Sequence, residues 1–144
     1  MRFRWKLGII IALLPAAIEA VEVRNDLPFA EGRYAQKADC DVLQTSEKKG
    51  ESRNLHNAAW HLTKDGFSDG WEQYCSFHAV FVRDNSATAT AVCGEGSLTT
   101  LADYYFQLED QPAGNPDITV FRKGDDTTEG QQGITYSWCP RGKN

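Results

Sequence analysis

The passage CSFHAVFVRDNSATATAVC, Cys75 to Cys93, alternates residue types on both sides of a polar break. In CSFHAVFV the odd positions are Cys75, Phe77, Ala79 and Phe81; in ATATAVC they are Ala89, Ala91 and Cys93, set against Thr88 and Thr90. A period of two puts successive side chains on opposite faces, so the two runs predict the strands of one hairpin with a shared inward face. For both cysteines to lie on that face, the break RDNSA must hold an odd number of loop residues. Centring the loop on Asn85 places Cys93 opposite Phe77 and leaves the two cysteines diagonal, with Cα atoms about 7–8 Å apart. A disulfide spans about 4.4–6.8 Å. The two cysteines are therefore expected to bond elsewhere; of the pairings left, Cys40–Cys75 would close the long polar loop onto the hairpin and Cys93–Cys139 would tie the final strand to it, and these are the expected bonds.

The rest of the chain fits the same architecture. LADYYFQLED (Leu101–Asp110) alternates Tyr104, Phe106 and Leu108 with Tyr105 and Gln107; ITVFRK (Ile118–Lys123) and ITYSWC (Ile134–Cys139) follow after polar loops. Residues Leu101, Tyr104, Tyr105 and Leu108 also fit helical spacing, but aromatic content and the preceding Thr99 and Thr100 favour a strand. GRYAQK (Gly32–Lys37) reads as a short first strand, and KDGFSDG (Lys64–Gly70) carries two glycine turn signals. DVLQTSEKKGESRN (Asp41–Asn54) is polar and free of aromatics, and reads as an exposed loop with one weak helical turn. Short strands with turn signals every ten residues or so predict a single all-β domain, an antiparallel meander closed as a barrel or layered as a sandwich and held by two disulfides.

The first residues, MRFRWK, precede the apolar run LGIIIALLPAAIEA. A basic segment followed by about 14 apolar residues, shorter than the roughly 20 of a membrane span, predicts a signal peptide over residues 1–20 with cleavage after Ala20. A lead-in would then occupy 21–30, the β domain 31–140 and a tail 141–144. With Arg2, Arg4, Lys6 and Glu19 removed from 15 basic and 20 acidic residues, the remainder has 12 against 19, a net charge of −7. That charge disfavours nucleic acid, which needs basic contacts to phosphate, and allows attraction to a cationic protein. Cys40, Cys75, Cys93 and Cys139 all follow the cleavage point, and an even number in an exported chain predicts two disulfides in a periplasmic or secreted protein. Their spacings match no local zinc chelate, so neither a metal nor another cofactor is expected.

Catalytic constellations are not apparent. His56 and His61 are five apart, which suits neither one strand face nor an i, i+4 chelate, and His78 is expected to point outward. No GxSxG motif is present, and GEGSL lacks the spacing of a nucleophile elbow. The carboxylates around Asp65 and Asp69 and around Asp125 and Asp126 form no specific pattern. A small hydrolase built on His56 or His61 with a carboxylate such as Asp65 stands as an alternative. Trp60 and Trp138 fit core packing, whereas Trp71 and Tyr74, beside a glycine turn, are the candidate ligand-binding aromatics.

The segments EGRYAQKADC, GWEQYCSFHAV, ATAVCGEG and ITYSWCP together resemble small exported four-cysteine proteins of alphaproteobacteria. The resemblance runs over most of Glu31 to Pro140 and implies a small disulfide-bonded β domain without implying an activity. A second, weaker resemblance is to periplasmic inhibitors of c-type lysozyme, small disulfide-bonded β-barrels; their Ser/Gly-rich loop leading to a tyrosine is not found here. The function expected is that of a non-enzymatic exported binding module, its partner an envelope glycan or a cationic protein such as a lysozyme-type enzyme.

Overall fold

The computed structural model describes residues 23–49, 59–70, 72–109, 114–124 and 132–141. Nine strands and one helix follow in chain order: β1 (Val23–Arg24), β2 (Tyr34–Ala35), α1 (Lys37–Lys49), β3 (His61–Thr63), β4 (Gly66–Ser68), β5 (Gln73–Arg83), β6 (Ser86–Glu95), β7 (Leu98–Glu109), β8 (Asp117–Lys123) and β9 (Ile134–Trp138). All pairings are antiparallel. Strands β5-β4-β3-β2-β9-β8-β7-β6 run side by side, and β6 returns to β5, closing an eight-stranded barrel; β1 adds to β5 beyond the end of β4. The all-β expectation holds in its barrel form, and 101–108 is a strand.

The barrel is built unevenly. Strands β5 to β7 have 11, 10 and 12 residues, whereas β2, β3 and β4 have 2, 3 and 3. The long strands carry the alternation that the sequence announces, with Ala87, Ala89 and Ala91 of β6 and Ala102, Tyr104 and Phe106 of β7 buried. Small alanines on β6 leave room for the large rings opposite them. Phe67 of β4 sits at the centre of those rings, with centroids 4.9 Å from Tyr104, 5.7 Å from Phe77, 5.8 Å from Tyr136, 5.9 Å from Trp60 and 6.1 Å from Phe106. One residue of a three-residue strand thus ties the short-stranded side of the barrel to the long one.

The hairpin β5–β6 departs from the expected register, and the departure corrects the disulfide assignment. A two-residue turn, Asp84–Asn85, joins Arg83 to its partner Ser86, and the ladder runs regularly to Ala79↔Thr90; past His78 it becomes Phe77↔Ala91 and Cys75↔Cys93. The odd residue that the alternation requires is therefore not in the loop but in the strand, as a β-bulge at His78. Cys75 and Cys93 become direct partners, 3.9 Å apart at Cα, and bond to each other; Cys40 bonds to Cys139. Neither Cys40–Cys75 nor Cys93–Cys139 forms. The bulge also inverts the face of the remaining strand: Val80 is fully buried, while Phe81, expected inward, is 42 % exposed.

A second correction concerns residues 37–49, which form a 13-residue helix rather than a loop. Cys40, Leu43 and Glu47 recur at i, i+3 and i+7, one face of a helix. Leu43 is buried with Ala35, Ala59 and Cys139 in a satellite core, with Cys40 packed against it. Arg33 bridges Glu47 at 2.6 Å, and the Gln44 side-chain amide donates to the Pro140 carbonyl. Asp39 in the first turn and Lys48 and Lys49 in the last suit the helix dipole. Residues 50–54 of the expected loop lie outside the described residues.

Two further results are expected from these contacts. Gly66 has φ +147°, and a Cβ there would stand 1.8 Å from the Cys75 carbonyl oxygen. Gly66→Ala should therefore cost about 2–3 kcal/mol, read as a lowered midpoint in urea, because neither backbone can yield cheaply. Tyr136, buried in the core, has its phenol pushed from 10.0 up to about 12, first by burial and then by the charge of Asp39, against a hydrogen bond from Trp60 that lowers it. Burial raises Tyr34 in the same sense. A tyrosine that ionises later in the folded state stabilises fully below pH 10 and loses that contribution as pH rises to about 12. The melting temperature should fall across this window, and less steeply in Tyr136→Phe.

Candidate functional site: an aromatic groove on the outer barrel wall

The interior of the barrel is filled by aromatic rings, so open space is found at its surface. Where strands are paired in register, residues directly opposite each other form rows across the outer wall. One row runs Val23–Phe81–Thr88–Tyr105–Phe121 over β1, β5, β6, β7 and β8. The next runs Ala79–Thr90–Asp103–Lys123 over β5 to β8. Val23 and Phe81 are more than two-fifths exposed, as is Tyr105. A groove of about 580 Å³ lies along these two rows, walled by Phe81 on one side and by Tyr105 and Phe121 on the other.

Each wall has a local cause. Phe81 faces out because of the bulge at His78. Tyr105 faces out because β7 alternates regularly and buries Tyr104 and Phe106 on the other face. Phe121 packs against Tyr105 with centroids 5.8 Å apart, and its ring lies over Gly133, where a Cβ would stand 2.7 Å from it. Between the walls Thr88 is small, which opens the slot. Along the second row the Thr90 hydroxyl donates to Asp103 Oδ1 at 2.7 Å. Asp103 and Lys123 are register partners, yet no ion pair joins them.

Two smaller spaces flank other parts of the barrel. At the end bearing the Cys75–Cys93 bond, a space of about 250 Å³ is bordered by Trp60, Tyr74, Glu95, Tyr104 and Arg122. The Tyr104 hydroxyl lies 3.4 Å from Cys75 Sγ and 3.6 Å from Cys93 Sγ. Near α1, a space of about 410 Å³ is bordered by Arg33, Glu47, His61, Trp138 and Arg141. Arg33 is buried, satisfied by Glu47 and the Pro140 carbonyl except at Nε.

No family model, curated protein or solved structure matches the chain. The geometry carries the functional reading by itself.

The residues singled out in the sequence fall in different places. Trp71 and His56 lie outside the described residues, as do Asp125 and Asp126. Tyr74 is half exposed, with its ring laid over Gly94, where a Cβ would stand 2.6 Å from it; it borders the smaller space at the barrel end, away from the aromatic groove. His61 is buried and donates from Nδ1 to the Ala59 carbonyl at 3.0 Å, whereas Asp65 sits in the exposed turn between β3 and β4. His78, in the bulge, is exposed as expected. Trp60 packs partly buried against the core, but Trp138, expected to be buried, is 44 % exposed. Strand β9 is short and only Tyr136 of its alternate residues reaches the interior. All four cysteines are bonded, which fits an oxidising compartment. Among the described residues no helix is long and apolar enough to cross a membrane.

The groove residues escaped the sequence reading for two reasons. Tyr105 was legible as outward from its alternation, but nothing in the sequence marks its neighbours on other strands. Phe81 lies in the apolar run Ala79–Val82, where four successive apolar residues carry no phase to say which face each takes.

Proposed function

We propose that the protein is an exported, non-enzymatic binding module whose ligand occupies the aromatic groove on the outer wall of β5 to β8. The observation that carries this reading is the row in which Phe81 and Tyr105 stand exposed, with half-buried Phe121 packed beside Tyr105, on strands that bury Val80, Tyr104 and Val120 on the other face. Folding gives little physical reason to set two exposed aromatic rings and a third, half-buried one in a single outer row, and large exposed apolar patches mark interaction sites. The volume of about 580 Å³ lies within the range of ligand sites, roughly 300–1,000 Å³. Export is supported by the two disulfides and by the basic and apolar N-terminal pattern of residues 1–20. The resemblance of the segments around the four cysteines to small exported proteins points the same way.

The test is a comparison on arrays of glycans, peptides and lipids between the oxidised protein and Phe81→Ser/Tyr105→Ser. Both side chains are surface groups, so the variant should keep the melting behaviour of the parent. Ligands retained by the parent should be lost by the variant at least tenfold. An unchanged array pattern, or no retention by either protein, would count against the proposal.

A further inference from the structure

Resting on the groove as the binding face, we propose that its ligand is a saccharide, held by stacking of a sugar ring between Phe81 and Tyr105 and by hydroxyl contacts to Asp103 and Lys123. The two rows together define what the groove can hold. The upper row offers ring faces with a gap over Thr88. Strands β5 and β7 are two spacings apart, roughly 10 Å between backbones, so the slot admits something about one ring thick once both aromatic walls are in place. A flat group with apolar C–H faces fills it.

The lower row sets the polar requirement. Asp103 and Lys123 stand side by side across β7 and β8 with opposite charges and no ion pair between them. Thr90 holds Asp103 through Oδ1, which fixes the carboxylate and leaves Oδ2 to accept from a ligand. An occupant must therefore satisfy an acceptor and a donor within one short stretch. A hydroxyl both donates and accepts, so adjacent hydroxyls of one sugar meet both needs. Charge complementarity argues against a broad protein partner. An apolar protein surface over this face would strip water from two separate charges without pairing them, a cost that binding seldom recovers. The groove thus presents ring faces and hydroxyl partners in the relative positions that a saccharide, apolar on its faces and hydrogen-bonding at its rim, can use at once.

Calorimetric titration of the oxidised protein with chitotetraose, cellotetraose and maltotetraose tests this, beside a tyrosine- and proline-rich peptide as the competing class. At least one saccharide should bind, with affinity reduced about tenfold or more in Tyr105→Ala and several-fold in Asp103→Asn. Asp103→Asn keeps the shape and the fold and removes only the carboxylate, so its loss cannot be assigned to unfolding. Saccharide binding that survives both substitutions would overturn the assignment of the site. Binding of the peptide alone, abolished by Tyr105→Ala, would overturn the saccharide class while leaving the groove as a binding face. Absence of binding by every probe would overturn the saccharide proposal and weigh against the binding face as well.

Discussion

Loss of the Cys40–Cys139 bond is expected to destabilise the protein by about 4–5 kcal/mol, more than loss of Cys75–Cys93. The two bonds close chains of very different length, 99 and 18 residues. On the chain-entropy account a 15-residue loop is worth about 3 kcal/mol and a 100-residue loop about 4.7 kcal/mol. The local context sharpens the contrast. Cys75 and Cys93 lie within a hairpin already held by ten register pairs, whereas β2 meets β9 through only two, Tyr34↔Trp138 and Ala35↔Ser137. Cys139 also donates its backbone N–H to the Arg33 carbonyl, so the bond fastens the seam where the barrel closes. Urea unfolding of Cys40→Ala/Cys139→Ala and of Cys75→Ala/Cys93→Ala measures both. A larger loss in the second variant would contradict the account. Since single domains are stable by about 5–15 kcal/mol, the first variant should be close to unfolding at 37 °C.

Phe67→Ala is expected to cost about 3–5 kcal/mol. The side chain is buried and touches five aromatic rings from four other parts of the chain, and it is the main apolar anchor of β4. Rings already packed against one another cannot collapse into the space it leaves, so most of the cavity should persist. Phe67→Leu should cost less than half as much, because it keeps the volume near the strand and loses only the ring contacts. A midpoint in urea that is unchanged for Phe67→Ala would mean that the ring cluster does not hold the short-stranded side.

The strands of this barrel are legible in the sequence wherever polar and apolar residues alternate cleanly, as in ATATAVC and ADYYFQLE. There the period states both the element and the face. Legibility fails at two points with different physics. In Ala79–Val82 the apolar residues are continuous, so a bulge changes which of them is buried without changing the pattern. The sequence required one odd residue between the inward faces, and a loop and a bulge satisfy that requirement equally; only the chain's tight Asp84–Asn85 turn decides it. In Lys37–Lys49 the helix is stabilised by tethering rather than by an apolar stripe. One leucine, one disulfide and the Arg33–Glu47 pair supply what a wide hydrophobic face supplies elsewhere, and a mostly polar helix of this kind looks like a loop. Fold class was therefore readable from local pattern, but disulfide pairing and the groove depend on register, which is a property of two strands at once.

The same bulge at His78 links stability to the proposed function. It brings Cys75 opposite Cys93 and turns Phe81 outward beside Tyr105. The most direct test of the groove as the binding face is an amide chemical-shift titration of the oxidised protein with a ligand retained on the arrays. The account predicts shifts concentrated at Phe81, Thr88–Thr90, Asp103–Tyr105 and Phe121–Lys123. Shifts confined instead to Tyr74, Gly94 and Glu95 at the barrel end, or to Arg33 and His61 beside α1, would contradict it.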